Sequence, residues 1–343
     1  MRSALVELVL ARWRSFYREP GALFWSFGFP LVLAVALGVA FRSRGPDPVV
    51  AAVVEGPHAE RLAHELESRD VVVRRLDHAA ALASMRTGKV AIVVDEADDD
   101  APIYTVDETR PESRLARAKV DALLQRARGR TDAFEPVEVE MKEPGSRYID
   151  FLVPGLIGSG LMQGGLWGVG YVIVEMRTRK LMKRYLATPM KKRDFLLAFV
   201  LVRGMFLLVE LPFLLAFATL VFGVPVRGSL PSLVLVTTLG SVSFAGLGLL
   251  IASRAENVQT AGGLVNLASL PMLLTSGTFF SSARFPESIQ PIVKVLPLTA
   301  LNDSIRAVML DAAPLRAIAP QIAILAGWGV GCFVLALRLF RWR

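Results

Sequence analysis

Residues 177–193, RTRKLMKRYLATPMKKR, hold eight lysines and arginines (Arg177, Arg179, Lys180, Lys183, Arg184, Lys191, Lys192, Arg193) and no acid. Such side chains offer fixed positive charge and hydrogen-bond donors, which bind acidic surfaces rather than break bonds. Residues 151–174 before them carry no charge, and residues 195–226 after them carry only Arg203 and Glu210. A purely basic loop between two apolar runs is what the cytoplasmic face of a membrane retains. The loop therefore sets topology. Its residues 178–186 can also wind into about two helical turns, ended at Thr188-Pro189 because the residue before a proline is pushed out of the helical region. Two readings follow: a solvated basic loop that only sets topology, or a docking helix through which a soluble motor moves the spans.

Arg203 and Glu210 stand seven residues apart, on nearly one face of a helix and about two turns from each other. Charge at that depth is expensive and faces a bundle interior or a polar cavity. Arg203 can snorkel to the inner interface near Lys192. Glu210 either pairs with a neighbouring span or lines a substrate path. Gln163, Trp167 and Asn266 are further candidates for that path, and Asn266 also suits a hydrogen bond between helices.

Little else in the chain can do chemistry. His58, His64 and His78 have no H-E-x-x-H pattern or cysteine partner, so they read as surface histidines and no metal is expected. The acidic group Asp95, Glu96, Asp98, Asp99, Asp100 can attract a cation, but a solvated turn is the better reading. The single cysteine, Cys332, lies in an apolar run, permits no intrachain disulfide and reads as packing. No G-x-x-x-x-G-K-[ST] loop occurs, so ATP binding by that route is excluded. Neither catalytic nor cofactor-binding residues are expected.

Composition points the same way. A hydrophobic content of 53% and a mean hydropathy of +0.47 are too high for a soluble domain of 343 residues. Several uncharged runs exceed the roughly 20 residues that cross a bilayer. The net charge of +8 is divided: residues 42–150 hold 17 Lys+Arg against 22 Asp+Glu, so the excess belongs to the rest of the chain, beside the apolar runs. That is the positive-inside bias rather than a nucleic-acid footprint, and no nucleic-acid partner is expected.

Taken in order, residues 1–20 read as an amphipathic helix lying in the headgroup region, with aromatics beside arginines and Arg12 snorkelling from the apolar arc. No cleavable leader is expected before the first apolar segment. Residues 21–41 form the first span. Residues 42–150 alternate strand and helix: strands at 49–54, 71–76, 90–95, 103–106 and 137–141, helices at 57–68, 78–87 and 111–128. That is a small, mostly parallel α/β domain. Lying between spans one and two, opposite the basic loop, it should face outside. Residues 151–343 hold spans at 151–174, 195–222, 228–253, 258–280 and 317–337. Gly160, Gly164 and Gly168 repeat at small-xxx-small spacing, which lets another helix approach closely. Residues 281–316 are mixed and punctuated by prolines. The fold class is thus an α-helical polytopic membrane protein: six transmembrane helices, an N-terminal interfacial helix and an inserted external α/β domain, with both termini cytoplasmic.

This order of parts resembles the membrane half of an ABC-2 type exporter. Residues 175–189, EMRTRKLMKRYLATP, look like the family's acidic-then-basic run ending in Leu-x-x-Pro. Residues 274–310, LTSGTFFSSARFPESIQPIVKVLPLTALNDSIRAVML, are similar to its Ser-Gly-x-Phe-Phe, Phe/Leu-Pro, Pro-Leu-Thr and Arg-x-x-x-Leu series. Ser281-Ser282 stands where a proline often follows the two phenylalanines. The resemblance implies a coupling helix at about 178–187, with Glu175, Arg179, Lys183, Arg184, Leu186 and Pro189 serving the ATPase contact. It also implies an external re-entrant stretch at about 281–315, with Ser276, Gly277, Phe279, Phe280, Pro286, Pro297, Leu298, Thr299 and Arg306 on its pattern. The expected function is a permease subunit moving a lipophilic or amphipathic molecule (drug, antibiotic or lipid) out of the cytoplasm or inner leaflet of a bacterial plasma membrane. The implied partners are a separate ABC ATPase carrying ATP and Mg, a second permease subunit, membrane lipid and the small lipophilic substrate. Two other readings stay open: a mechanotransmitter acting on an envelope partner, and an ion-coupled carrier using Glu210.

Overall fold

Proline at position 20 starts a helix readily because its missing N–H has no helical partner there, and it separates the first two helices. In the computed structural model α1 is Ala4–Tyr17, with Glu7 in its first turn and Arg14 in its last, each complementing the helix dipole. A short helical turn, Pro20–Leu23, and a π-helical turn, Phe24–Gly28, lead into α2, Phe29–Ala40. The structure describes residues 4–18, 20–40, 48–68, 70–96, 101–132, 134, 147–182 and 192–339. It divides into two compact units: Met1–Arg42 with Met141–Arg343, and Ser43–Glu140.

The smaller unit is built on runs of β-branched residues, which suit a sheet buried on both faces. Its elements are β1 (Val49–Val54), α3 (Ala59–Leu66), β2 (Val71–Leu76), α4 (His78–Arg86), β3 (Ile92–Glu96), β4 (Pro102–Thr105) and α5 (Pro111–Ala127). The sheet order is β2-β1-β3-β4; β1 is parallel to both neighbours and β4 is antiparallel to β3. Side chains alternate across β1. Ala51 and Val53 pack with Leu62, Leu66, Val120 and Leu124 of α3 and α5, whereas Ala52 and Val54 pack with Ala81 and Met85 of α4. Asp77 caps α4 by accepting from Ala80 N at 2.6 Å.

Glu96 turns inward at the end of β3 and binds Arg61 at 2.8 Å and Arg128 at 2.6 Å, fastening α3 and the end of α5 to the sheet. The Tyr104 hydroxyl, pushed up to about 12 by burial and by its bond to Asp121, stays a donor at physiological pH. The strand expected at 137–141 and Asp98–Asp100 lie outside the described residues. His58, His64 and His78 sit apart, at the start and last turn of α3 and the start of α4.

The larger unit begins again at α6 (Tyr148–Thr178), a 31-residue helix interrupted by a π-helical segment, Leu166–Tyr171. It continues through α7 (Lys192–Phe222), α8 (Leu230–Arg254), α9 (Val258–Thr275), α10 (Gln290–Val295), α11 (Pro297–Met309) and α12 (Ala319–Leu339). Among the described residues four helices are long and apolar enough to cross a membrane: Tyr148–Thr178, Ala198–Phe222 within α7, Leu230–Arg254 and Ala319–Leu339. The other two expected spans correspond to the run from Pro20 to α2, whose apolar helix is short, and to the 18-residue α9. α1 lies along α7, where Trp13 stacks on Phe206 with ring centroids 4.9 Å apart.

Glycine lets α6 and α8 cross backbone to backbone. A Cβ at Gly165 would sit 2.5 Å from the Phe244 carbonyl carbon, and one at Gly170 would sit 2.7 Å from the Gly248 carbonyl oxygen. The expected Gly160–Gly164–Gly168 stripe is not this crossing. Gly160 and Gly164 face side chains of α7, and Gly168 has open space. The stripe reads as a helix seam because spacing alone does not say whether a backbone or a side chain fills the room. Cys332 is buried in the core of this unit, as packing predicts.

Candidate functional site

The glycines of α6 make room for charge. Arg203 and Glu210, 7% and 3% exposed, pair with each other through Arg203 Nη1 and Glu210 Oε2 at 2.8 Å. Neither snorkelling nor a partner on another helix is needed. The guanidinium lies where a side chain at Gly164 would be, and Glu210 Oε1 is 3.2 Å from the Cβ position of Gly160. The two carriers of charge are about 10 Å apart along the helix axis, so both side chains lean toward each other along that cradle. Arg203 Nε and Nη2 are buried and hold no hydrogen-bond partner; Gln163 Oε1, on the residue before Gly164, is likewise buried and unpartnered.

Trp167 lies in the π-helical segment of α6 and packs on Tyr171, with centroids 5.1 Å apart. π-helical turns recur at functional sites because they re-aim side chains within a continuous helix. Its ring tip is 3.9 Å from the Cβ position of Gly262 on α9. Asn266 departs from the expectation: it is exposed, on the face of α9 turned away from this unit. Its polarity suggested a bond between helices, but the helix phase puts Ala261, Val265, Ser269 and Met272 inward instead.

At the basic end of α6, Glu175 and Arg179 form an exposed ion pair at 2.7 Å. α6 ends at Thr178, and Lys180 takes a left-handed conformation, φ 58, which stops a helix. Most of the helix expected at about 178–187 lies outside the described residues. Leu181 and Met182 are helical again, while Lys183, Arg184, Leu186 and Pro189 lie outside the described residues. Arg177 reaches across to α8, donating through Nη1 to Ala252 O at 3.2 Å and through Nη2 to Ala255 O. It thereby ties the connector's start to the turn between α8 and α9.

The opposite end is knotted by the proline-punctuated stretch. Ser276 closes α9, and Gly277 follows at φ 73, a conformation that strains any residue with a Cβ. Arg306 of α11 donates to Gly277 O and, from Nε and Nη2, to Phe151 O at 3.3 and 3.2 Å. Its guanidinium also lies 3.7 Å over the Phe151 ring. Asn302, one turn earlier, donates to Ser276 O at 2.9 Å and Thr278 Oγ1 at 3.3 Å, and its Oδ1 fills the space left by Gly158. Tyr148 Oη donates to Phe279 O at 3.0 Å. Of the residues expected here, Ser276, Gly277 and Phe279 meet in this knot, Pro297 starts α11, Thr299 is buried on α11, and Pro286 is exposed in the preceding turn. Asn302 was not expected. Its signal is a polar residue inside the apolar stripe Leu298, Leu301, Ile305, Val308 of α11.

Comparison with known proteins adds a family. Residues 20–338 match the family described as ABC-2 family transporter protein. The chain is similar to the probable multidrug ABC transporter permease YbhS of Escherichia coli, 26% identical over 238 residues, 63% of each chain. It is also similar to the inner membrane transport permease YhhJ of Escherichia coli, 25% identical over 50% of this chain and 46% of that one. ABC transporter G family member 20 of Dictyostelium discoideum is 27% identical over 49% of this chain and 23% of its own length. The chain thus spans less than two thirds of the relatives it matches.

Proposed function

Because the chain belongs to the ABC-2 family of transporter proteins, we propose that it is the membrane-spanning permease subunit of an ATP-driven exporter. The observation that carries this reading is the charge asymmetry. Eight basic residues and no acid join two long apolar helices, and the chain has no phosphate-cradling loop of its own. Energy then enters at that surface from a separate ABC ATPase, which holds ATP and Mg. Glu175, Arg179, Lys183, Arg184, Leu186 and Pro189 form the contact, and Arg177 carries its movement to α8. Six spans follow if the Pro20–Leu23 to α2 run and α9 join the four long helices. Both termini are then cytoplasmic in a bacterial inner membrane, and the Ser43–Glu140 unit is external. A second permease subunit completes the assembly. The substrate is lipophilic or amphipathic, a reading supported by the multidrug name of one relative.

The external unit keeps a second reading alive, in which the same motor cycle moves that unit against an envelope partner. An ion-coupled carrier is less well supported, since Glu210 is held by Arg203 rather than free. Co-expression with a partner ABC ATPase tests the assignment. The triple variant Arg179→Glu, Lys183→Glu, Arg184→Glu is expected to weaken ATPase co-purification at least about tenfold, through charge repulsion at the contact. Retention at the wild-type level overturns the docking assignment. Lipophilic compounds should stimulate the ATPase activity of the reconstituted pair; a mechanotransmitter would show no such response.

A further inference from the structure

We propose that Arg203 forms an intramembrane recognition site for the oxyanion of an amphipathic substrate, a carboxylate or a phosphate. This rests on the exporter reading above and names the head group that such a substrate carries. Arg203 spends only Nη1 on Glu210; Nε and Nη2, both buried, hold no partner. An arginine kept only to neutralise Glu210 gains nothing from two bare donors in an apolar bundle, where each unpaired donor is destabilising. Nε–H and the adjacent Nη2–H form the side edge of the guanidinium, and two parallel donors on one edge are what a carboxylate or phosphate takes in bidentate fashion.

Other head groups fit less well. A cation would have to draw Glu210 away and leave the whole guanidinium unpaired in the membrane. A neutral acceptor would fill the donors without the added strength of a charged bond. An oxyanion on the free edge leaves Glu210 in place on Nη1. Gly164 keeps the guanidinium against α6, where any side chain would displace it.

The test uses the full chain, reconstituted with its ATPase in vesicles, and four probes: dodecanoate, dodecyl phosphate, dodecanol and inorganic phosphate. The readout is the ratio of half-maximal concentrations for stimulation, neutral over anionic, within each variant. The wild type is expected to favour both anionic amphiphiles over dodecanol by about tenfold or more, as a charge-assisted bidentate contact implies. Arg203→Lys keeps the charge but loses the edge, and its ratio falls toward one, as does that of Arg203→Met. Glu210→Gln raises the ratio, because the anion becomes the counter-charge. Inorganic phosphate alone has no effect; stimulation by it overturns the amphiphile assignment. A wild-type ratio near one, or an unchanged ratio in Arg203→Lys, overturns the site. Thermal stabilisation of the permease alone by dodecyl phosphate, lost in Arg203→Lys, tests the site separately. Silence of the ATPase toward every amphiphile would instead sink the exporter reading.

Discussion

Glu210→Ala is expected to lower the unfolding free energy of the permease by about 3–5 kcal/mol, because it strands a buried guanidinium without counter-charge. Arg203 is 7% exposed and Glu210 is its ion-pair partner. The double variant Arg203→Met, Glu210→Leu is expected to recover most of that loss, since a buried pair replaced by apolar side chains of similar volume is often neutral or better. Thermal unfolding of the single and double variants in detergent gives the coupling directly. A single variant as stable as the wild type would show that the pair does not depend on Glu210 for its charge balance. The contrast also separates stability from recognition: the double variant should fold well and still lose its preference for anionic amphiphiles.

Arg306→Leu is expected to be comparably damaging, by about 3–5 kcal/mol, because it removes charge-assisted bonds to two carbonyls and a cation–π contact together. Gly277 O and Phe151 O lose their shared donor, and the left-handed turn at Gly277 loses the bond that holds it. Arg306→Lys should rescue little, since a point charge cannot span both carbonyls and stack on Phe151. Limited proteolysis within residues 281–296 is expected to accelerate in both variants while the α3–α5 unit stays intact. Unchanged proteolysis and unfolding temperature in Arg306→Leu would contradict the knot.

Much of the fold was legible where a local pattern decides the element. The β1 and β2 boundaries follow from valine-rich runs closed by turn residues, and both agree with the structure to the residue. The reversal of β4 against β3 follows from the short link between Glu96 and Pro102, since a parallel pair needs a crossover of a dozen or more residues. The seven-residue spacing of Arg203 and Glu210 was plain, but their pairing needed the room that Gly160 and Gly164 leave on a different helix. Which face of α6 meets α7 is a tertiary fact. Asn266 and Asn302 show the same limit from both sides. Each is one asparagine in an apolar helix, and only helix phase against the bundle turns the first outward and the second into the knot. The helix break at Lys180 was hidden because a lysine carries no left-handed preference, and the basic run masked it.

The central claim is that the basic connector faces the compartment from which an ATPase can act, and labelling of single cysteines tests it most directly. Cys332→Ala removes the chain's one thiol. In that background, Ala187→Cys in the connector and Lys89→Cys in the smaller unit report on opposite faces. The account predicts that a membrane-impermeant maleimide modifies position 89 in intact spheroplasts and position 187 only in inverted vesicles. Modification of position 187 from outside intact cells would contradict it.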